Sequence, residues 1–231
     1  MKRLLRNALV LAATAALAPA VLLLLFRFVD PPTTAFMTLT QRELADNGQD
    51  TTLYQHWVPI DSIAACMPLA VVASEDQTFP EHHGFAWGAI EKALAANARG
   101  SGTRGASTIT QQTAKNLFLW PARSYIRKAI EAYVTLWMNL IWSKARVLEV
   151  YLNVAQFGPR VFGVDQAARR FFNVAPGQLT KRQCATLAAV LPAPTEYDAA
   201  RPGPHVAGRV SWIMRQMTNL GPAYLDSALK R

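Results

Sequence analysis

Three groups of side chains in this sequence have the types and spacing to do chemistry. Glu75 and Asp76 follow an apolar stretch, Leu69 to Ala73. A carboxylate leaving a hydrophobic helix end at the lip of a cleft can act as a general base, because partial desolvation raises its proton affinity. A solvated acid pair at a helix end is the alternative. Gln111, Gln112, Lys115 and Asn116 repeat at i, i+4 on a predicted helix and occupy two adjacent strips of one face. Amides suit sugar hydroxyls and N-acetyl groups, and a lysine suits a phosphate. Arg127, Lys128 and Glu131 stand at i, i+4 and i+3. Two cations there can hold Glu131 ionised, which makes it a weak acid but a good partner for a cation beside a diphosphate. An exposed helical salt bridge is the alternative. From Arg104 to Arg146 that glutamate is the lone acid among seven cations, a pattern suited to an anionic ligand.

Other motifs fail on inspection. Gly100 to Ser107 reads GSGTRGAS, but Ala106 stands where a phosphate-binding loop needs lysine, and a helical pattern precedes it where a strand is required. Ser227 and Lys230 match an S-x-x-K acyl-enzyme motif at the chain end, with no partner motifs. Adjacent His82 and His83 point in different directions on a helix and read better as structural than as metal ligands. Cys66 and Cys184 read as two small buried residues, with a single disulfide as the alternative.

The elements that must position these groups are mostly helical. Helices are expected over Glu91–Arg99, from a cap at Ser107 or Thr108 to about Leu119, from a cap at Ser124 onward, over Lys144–Asn153, Asp165–Phe172 and Thr180–Leu191. Long alternating strands are absent. The segment Ala132–Trp142 is too short to span a bilayer and reads as a buried core helix. Residues 1–7 read as a short cytoplasmic tail and 8–28 as a transmembrane signal anchor. The run Ala8–Phe26 is uncharged over 19 residues, about 28 Å of helix, and follows Lys2, Arg3 and Arg6. A cleaved signal peptide is the competing reading. Residues 29–50 read as a juxtamembrane connector and 51–231 as an extracytoplasmic catalytic body. The 231 residues carry a net charge of +9 and are 51% hydrophobic, which excludes wholesale disorder. The charge admits nucleic acid, anionic lipid or a phosphate-bearing substrate; no nucleic-acid module accompanies it.

Five segments together resemble the peptidoglycan glycosyltransferases of family 51. They are Glu75-Asp-x-x-Phe79-x-x-His82-x-Gly84; Gly105 to Leu119; Arg127-Lys-x-x-Glu131; Lys144 through Glu149, Tyr151, Asn153, Phe157-Gly158 and Gly163 to Phe172; and Leu187 to Pro194. They occur in the family's order over about Leu69–Tyr197. Val147, Phe171 and Asn139 depart from the usual residues without touching the catalytic assignment. The resemblance implies a mainly α, lysozyme-like bilobal glycosyltransferase domain behind one N-terminal transmembrane helix, in the bacterial inner membrane with the body in the periplasm. It implies polymerisation of lipid II into β-1,4 glycan strands with release of undecaprenyl diphosphate. Glu75 would be the base and Glu131 the second essential carboxylate, near the diphosphate or a divalent cation such as Mg or Mn. Asp76, Phe79, Ser107, Gln111, Gln112, Lys115, Asn116, Arg123, Arg127 and Lys128 would contact substrate or hold the site together. The loop Gly100–Arg104 would be mobile, and Phe85 and Trp87 would approach lipid. The expected partners are lipid II, the growing lipid-linked strand, the bilayer, and penicillin-binding and division proteins. A departing diphosphate needs cations rather than a proton, whereas glycan cleavage needs a raised-pKa acid. One base beside a cationic patch therefore favours transfer over the alternative, lysozyme-like cleavage of finished peptidoglycan. A non-catalytic scaffold is the third reading.

Overall fold

The computed structural model describes residues 2–98, 107–122 and 124–230. Among them the architecture is mainly helical, with a single two-stranded antiparallel ribbon, β1 (Gln156–Gly158) and β2 (Val161–Phe162). The chain opens with α1 (Lys2–Phe26), a 25-residue helix that runs through Pro19. Among the described residues no helix is long and apolar enough to cross a membrane.

The expected connector contains a helix of its own, α2 (Ala35–Asp46). Buried Thr34 caps it, its hydroxyl accepting from the Met37 amide at 3.0 Å, and Met37 packs into the core. A Thr-rich stretch after two prolines thus starts a helix inside the expected connector.

The core is a helix assembly around α3 (Cys66–Glu75), whose residues Met67 to Ala73 are all buried. It packs on α9 (Lys181–Val190) and α10 (Pro204–Leu220). The second group is α5 (Ile109–Phe118), α6 (Tyr125–Ile141) and α7 (Lys144–Val154), with α5 against both others. Helices α4 (Trp87–Ala98), α8 (Val164–Phe172) and α11 (Asp226–Leu229) complete the order. Of the two candidates before α5, Thr108 rather than Ser107 forms the cap, and Ser124 caps α6 as expected; Thr180 caps α9 in the same way, each side chain accepting from a backbone N–H in the first turn.

Two expectations are corrected. Cys66 and Cys184 are bonded to each other, joining the start of α3 to α9 with Cα atoms 6.0 Å apart. The segment Ala132–Trp142 is only half a core helix. Val134, Thr135 and Met138 are buried, but Leu136 and Leu140 are exposed, continuing an apolar outer face from Ile126 and Ile130. The helical period of a uniformly apolar stretch does not reveal which face is covered.

The N-terminal helix is docked on the body. The Trp142 indole N–H donates to the Leu23 carbonyl at 2.7 Å. The Arg146 guanidinium donates to the carbonyls of Phe26 and Val29, filling the orphan acceptors at the end of α1.

Candidate active site

Glu75 is the last residue of α3, part-buried where the buried run Met67–Ala73 ends. Its side chain is 15% exposed. Two neutral donors hold it. The Ser74 hydroxyl donates to Oε1 at 2.9 Å, and the Gln112 amide of α5 donates to Oε2 at 3.1 Å. A third neighbour comes from α10, where Arg209 Nη2 lies 4.0 Å from Oε1 and donates to the Ser74 hydroxyl at 3.3 Å. The Arg209 Nε is buried and, among the described residues, has no hydrogen-bond partner.

The Gln112 amide is itself oriented. Tyr151 of α7, fully buried, donates its hydroxyl to Gln112 Oε1 at 2.8 Å. Burial, seconded by the Glu75 charge, pushes the Tyr151 hydroxyl well above the usual phenol value, so it stays a donor. With the oxygen of Gln112 engaged, its NH2 faces Glu75.

One turn along α5, Lys115 links this carboxylate to a second. Burial lowers its affinity for a proton, and Glu131 and, less strongly, Glu75 oppose that shift. Glu131 lies on α6 with only 3% of its side chain exposed. Arg127 Nη1 meets its Oε2 at 2.7 Å, and the Lys128 ammonium bonds its Oε1. Lys128 also donates to the Ser107 hydroxyl at 3.1 Å, which ties α6 to the residue before the α5 cap. The alternative of an exposed helical salt bridge is therefore wrong for Glu131, though Lys128 itself is 45% exposed. Both Glu131 oxygens are committed to side-chain cations. Among the described residues, no three His, Cys, Asp or Glu cluster to hold a metal ion. The donor set does not fit a resident Mg or Mn.

Gln112, Lys115, Asn116 and Tyr151 line a cavity of about 580 Å³ that reaches to α2 on one side and to residues 191–196 on another. Gln111 does not join them. As the third residue of α5 it reaches back to the Thr108 amide in a capping box and is buried. Asp76 and Phe79 also lie beneath the site rather than at its surface. Asp76 accepts from the Ile109 amide at 3.0 Å, and His82 Nε2 lies 2.9 Å from both its oxygens. The carbonyl of Gly84, at φ +85°, accepts from the Thr108 hydroxyl at 2.7 Å. The segment Glu75 to Gly84 thus clamps the start of α5, which fixes where Gln112 stands. Fully buried Phe79 carries the Lys144 ammonium 4.3 Å above its ring. Arg123 and the loop Gly100–Arg104 lie outside the described residues. Sequence reasoning missed Ser74 and Arg209 as neighbours of Glu75, and Tyr151 as the group that orients Gln112. Tyr151 stood within a quoted segment; Arg209 sits on a helix that was not anticipated.

The site thus holds two carboxylates in different settings, Glu75 part-buried among neutral donors and Glu131 buried and locked in cations. Comparison with known proteins gives its class. Residues 41–218 match the Transglycosylase family model, and the chain belongs to that family. It is 46% identical over 225 residues to the biosynthetic peptidoglycan transglycosylase of Xylella fastidiosa (strain M23), covering 96% of this chain and 92% of that protein. It is 49% identical over 222 residues to the protein of that name from Xanthomonas campestris pv. campestris (strain B100), covering 94% and 90%. The Pseudomonas putida (strain F1) protein of that name is 50% identical over 214 residues, covering 91% of each chain.

Proposed function

We propose that this protein polymerises lipid II into β-1,4-linked glycan strands by inverting glycosyl transfer. Glu75 accepts the proton from the 4-hydroxyl of the acceptor sugar as that oxygen attacks the anomeric carbon of the donor, the lipid-linked growing strand. The bond from that carbon to the diphosphate oxygen breaks, and undecaprenyl diphosphate departs with the electron pair. Lys115, Arg127 and Lys128 receive its charge, and Glu131 keeps the last two in register. Arg123 belongs to the same group on this reading. Gln112 and Asn116 bind the donor sugars in the cavity, and Ser107 positions Lys128.

The observation that carries this reading is the contrast between the two carboxylates. Glu75 receives its hydrogen bonds from neutral donors, with Arg209 no nearer than 4.0 Å, and keeps 15% of its side chain exposed, which leaves it able to take up a proton. Glu131 is buried against two cations, where it organises charge rather than protons.

The same proposal places α1 as a signal anchor in the inner membrane, with the catalytic body in the periplasm. The uncharged run Ala8–Phe26 behind Lys2, Arg3 and Arg6 supports it. So does the Cys66–Cys184 bond, since disulfides persist in oxidising compartments. The exposed apolar face of α6 supports contact of that helix with lipid. Penicillin-binding and division proteins are the partners such an activity would serve.

Labelled lipid II given to the purified full chain tests the proposal. Polymer is expected. Sugar released only from isolated sacculi would indicate a cleaving enzyme, and neither product would indicate a scaffold.

A further inference from the structure

The outer wall of the cavity is built by α2, a helix that lies before every segment carrying the family resemblance. Phe36, Leu39, Thr40, Glu43, Leu44 and Asn47 line the cavity, a stripe at i, i+3, i+4, i+7, i+8 and i+11. Such a stripe on a short helix ordinarily covers a core. Here Met37 and Phe36 do that work, Met37 buried and Phe36 5.6 Å beneath the Lys115 ammonium. Leu39 and Leu44 are half-buried and lie outside the core cluster. They face the cavity, with Glu43 between them. Among the described residues the Glu43 carboxylate makes no hydrogen bond or ion pair. Opposite stand Lys115, Asn116 and Gln112, the last bonded to Glu75.

An apolar pair flanking a free carboxylate, facing amides across a gap, suits a saccharide. Sugar rings present an apolar face to leucines and hydroxyl donors to a carboxylate, while N-acetyl groups meet amides. We infer that α2 is a substrate-contacting wall that retains the growing glycan strand between additions, with Glu43 accepting from its hydroxyls and Leu39 and Leu44 packing on its rings. This rests on the reading that the cavity receives the lipid-linked strand. It makes α2 a determinant of strand length rather than of bond formation.

The test uses the full-length protein, with lipid II as acceptor and a synthetic lipid-linked tetrasaccharide as donor. Glu43→Ala should raise KM for the tetrasaccharide roughly tenfold, the loss of one charge-assisted hydrogen bond, with kcat near wild type. It should also shorten the strands made from lipid II alone. Glu43→Gln, which keeps an acceptor oxygen, should fall between. Thr40→Trp, which fills the cavity, should stop elongation beyond the first products while leaving Tm unchanged. Unchanged KM and strand lengths in Glu43→Ala would overturn the inference, as would full-length strands from a folded Thr40→Trp. If Thr40→Trp does not fold, Glu43→Ala decides alone. A wild-type protein that makes no polymer would overturn the polymerase reading and this inference with it. Polymer of wild-type length from Glu43→Ala would overturn this inference alone.

Discussion

Gln112 presents its amide N–H to Glu75 because Tyr151, buried behind it, holds the other end of that amide. The Glu75 carboxylate of α3, the proposed base, is thereby aimed by α5 and α7 together. A planar amide with one end bonded to a fixed donor cannot turn its oxygen toward the carboxylate. The arrangement keeps Glu75 from facing a second acceptor.

Tyr151→Phe preserves the ring and removes the hydroxyl. Freed from its donor, Gln112 should sample the flipped amide, which sets oxygen against oxygen at Glu75. We expect kcat to fall about tenfold with KM little changed, the scale of one lost buried hydrogen bond. Steady-state kinetics with lipid II would check this. A normal kcat would show that the amide is held by something else.

Lys128→Ala should weaken use of the donor more than it weakens folding. The ammonium is nearly half exposed, so its pairing with Glu131 contributes little to stability, and Arg127 remains to neutralise the carboxylate. KM for the donor should rise with Tm within a few degrees of wild type. An unchanged rate at unchanged Tm would make Lys128 a surface charge.

The disulfide closes a sequence separation of 118 residues. Cross-links of that span typically contribute about 2–5 kcal/mol by restricting the unfolded chain. Cys184→Ser should lower the stability of the α3–α9 pair by that order, and a reducing agent should lower wild-type Tm in the same direction. A wild-type Tm indifferent to reductant would mean that the bond adds nothing to the fold.

Lys144 makes stability depend on pH. Burial depresses its titration to about 8 from the ordinary 10.5, with Asp76 pulling the other way. Between those values the unfolded chain binds more protons than the folded one, so stability from this group rises with pH. Below about 8 both states are protonated and the folded state bears the whole penalty. Wild type should therefore gain stability relative to Lys144→Met as pH climbs from 8 toward 10.5, measured by urea unfolding. A constant difference across that range would mean that the ammonium stays well solvated.

Most of the helices and both carboxylates could be read from the sequence, because local rules govern them. Thr108 and Ser124 are capping residues at the right distance from apolar periodicity, and Arg127, Lys128 and Glu131 share a helix face at any tertiary arrangement. What could not be read depended on distant packing. Gln111 and Gln112 are chemically identical neighbours, and only the capping box on one side and the cavity on the other separate them. Arg209 meets Glu75 across α10, a helix begun by a proline after a loop and interrupted in sequence by Gly208. Tyr151 was visible only as one residue of a quoted segment; it is core, and its role comes from where its hydroxyl ends. The Cys66–Cys184 pairing likewise required the contact of α3 with α9.

Replacing Glu75 by Gln tests the central claim most directly. The substitution keeps size and hydrogen-bonding capacity while removing the basic oxygen. Strand synthesis from labelled lipid II should disappear while the circular dichroism spectrum and Tm of the full chain are retained. Polymer formed at a near-normal rate by the folded variant would contradict the account and require the proton acceptor to be another group.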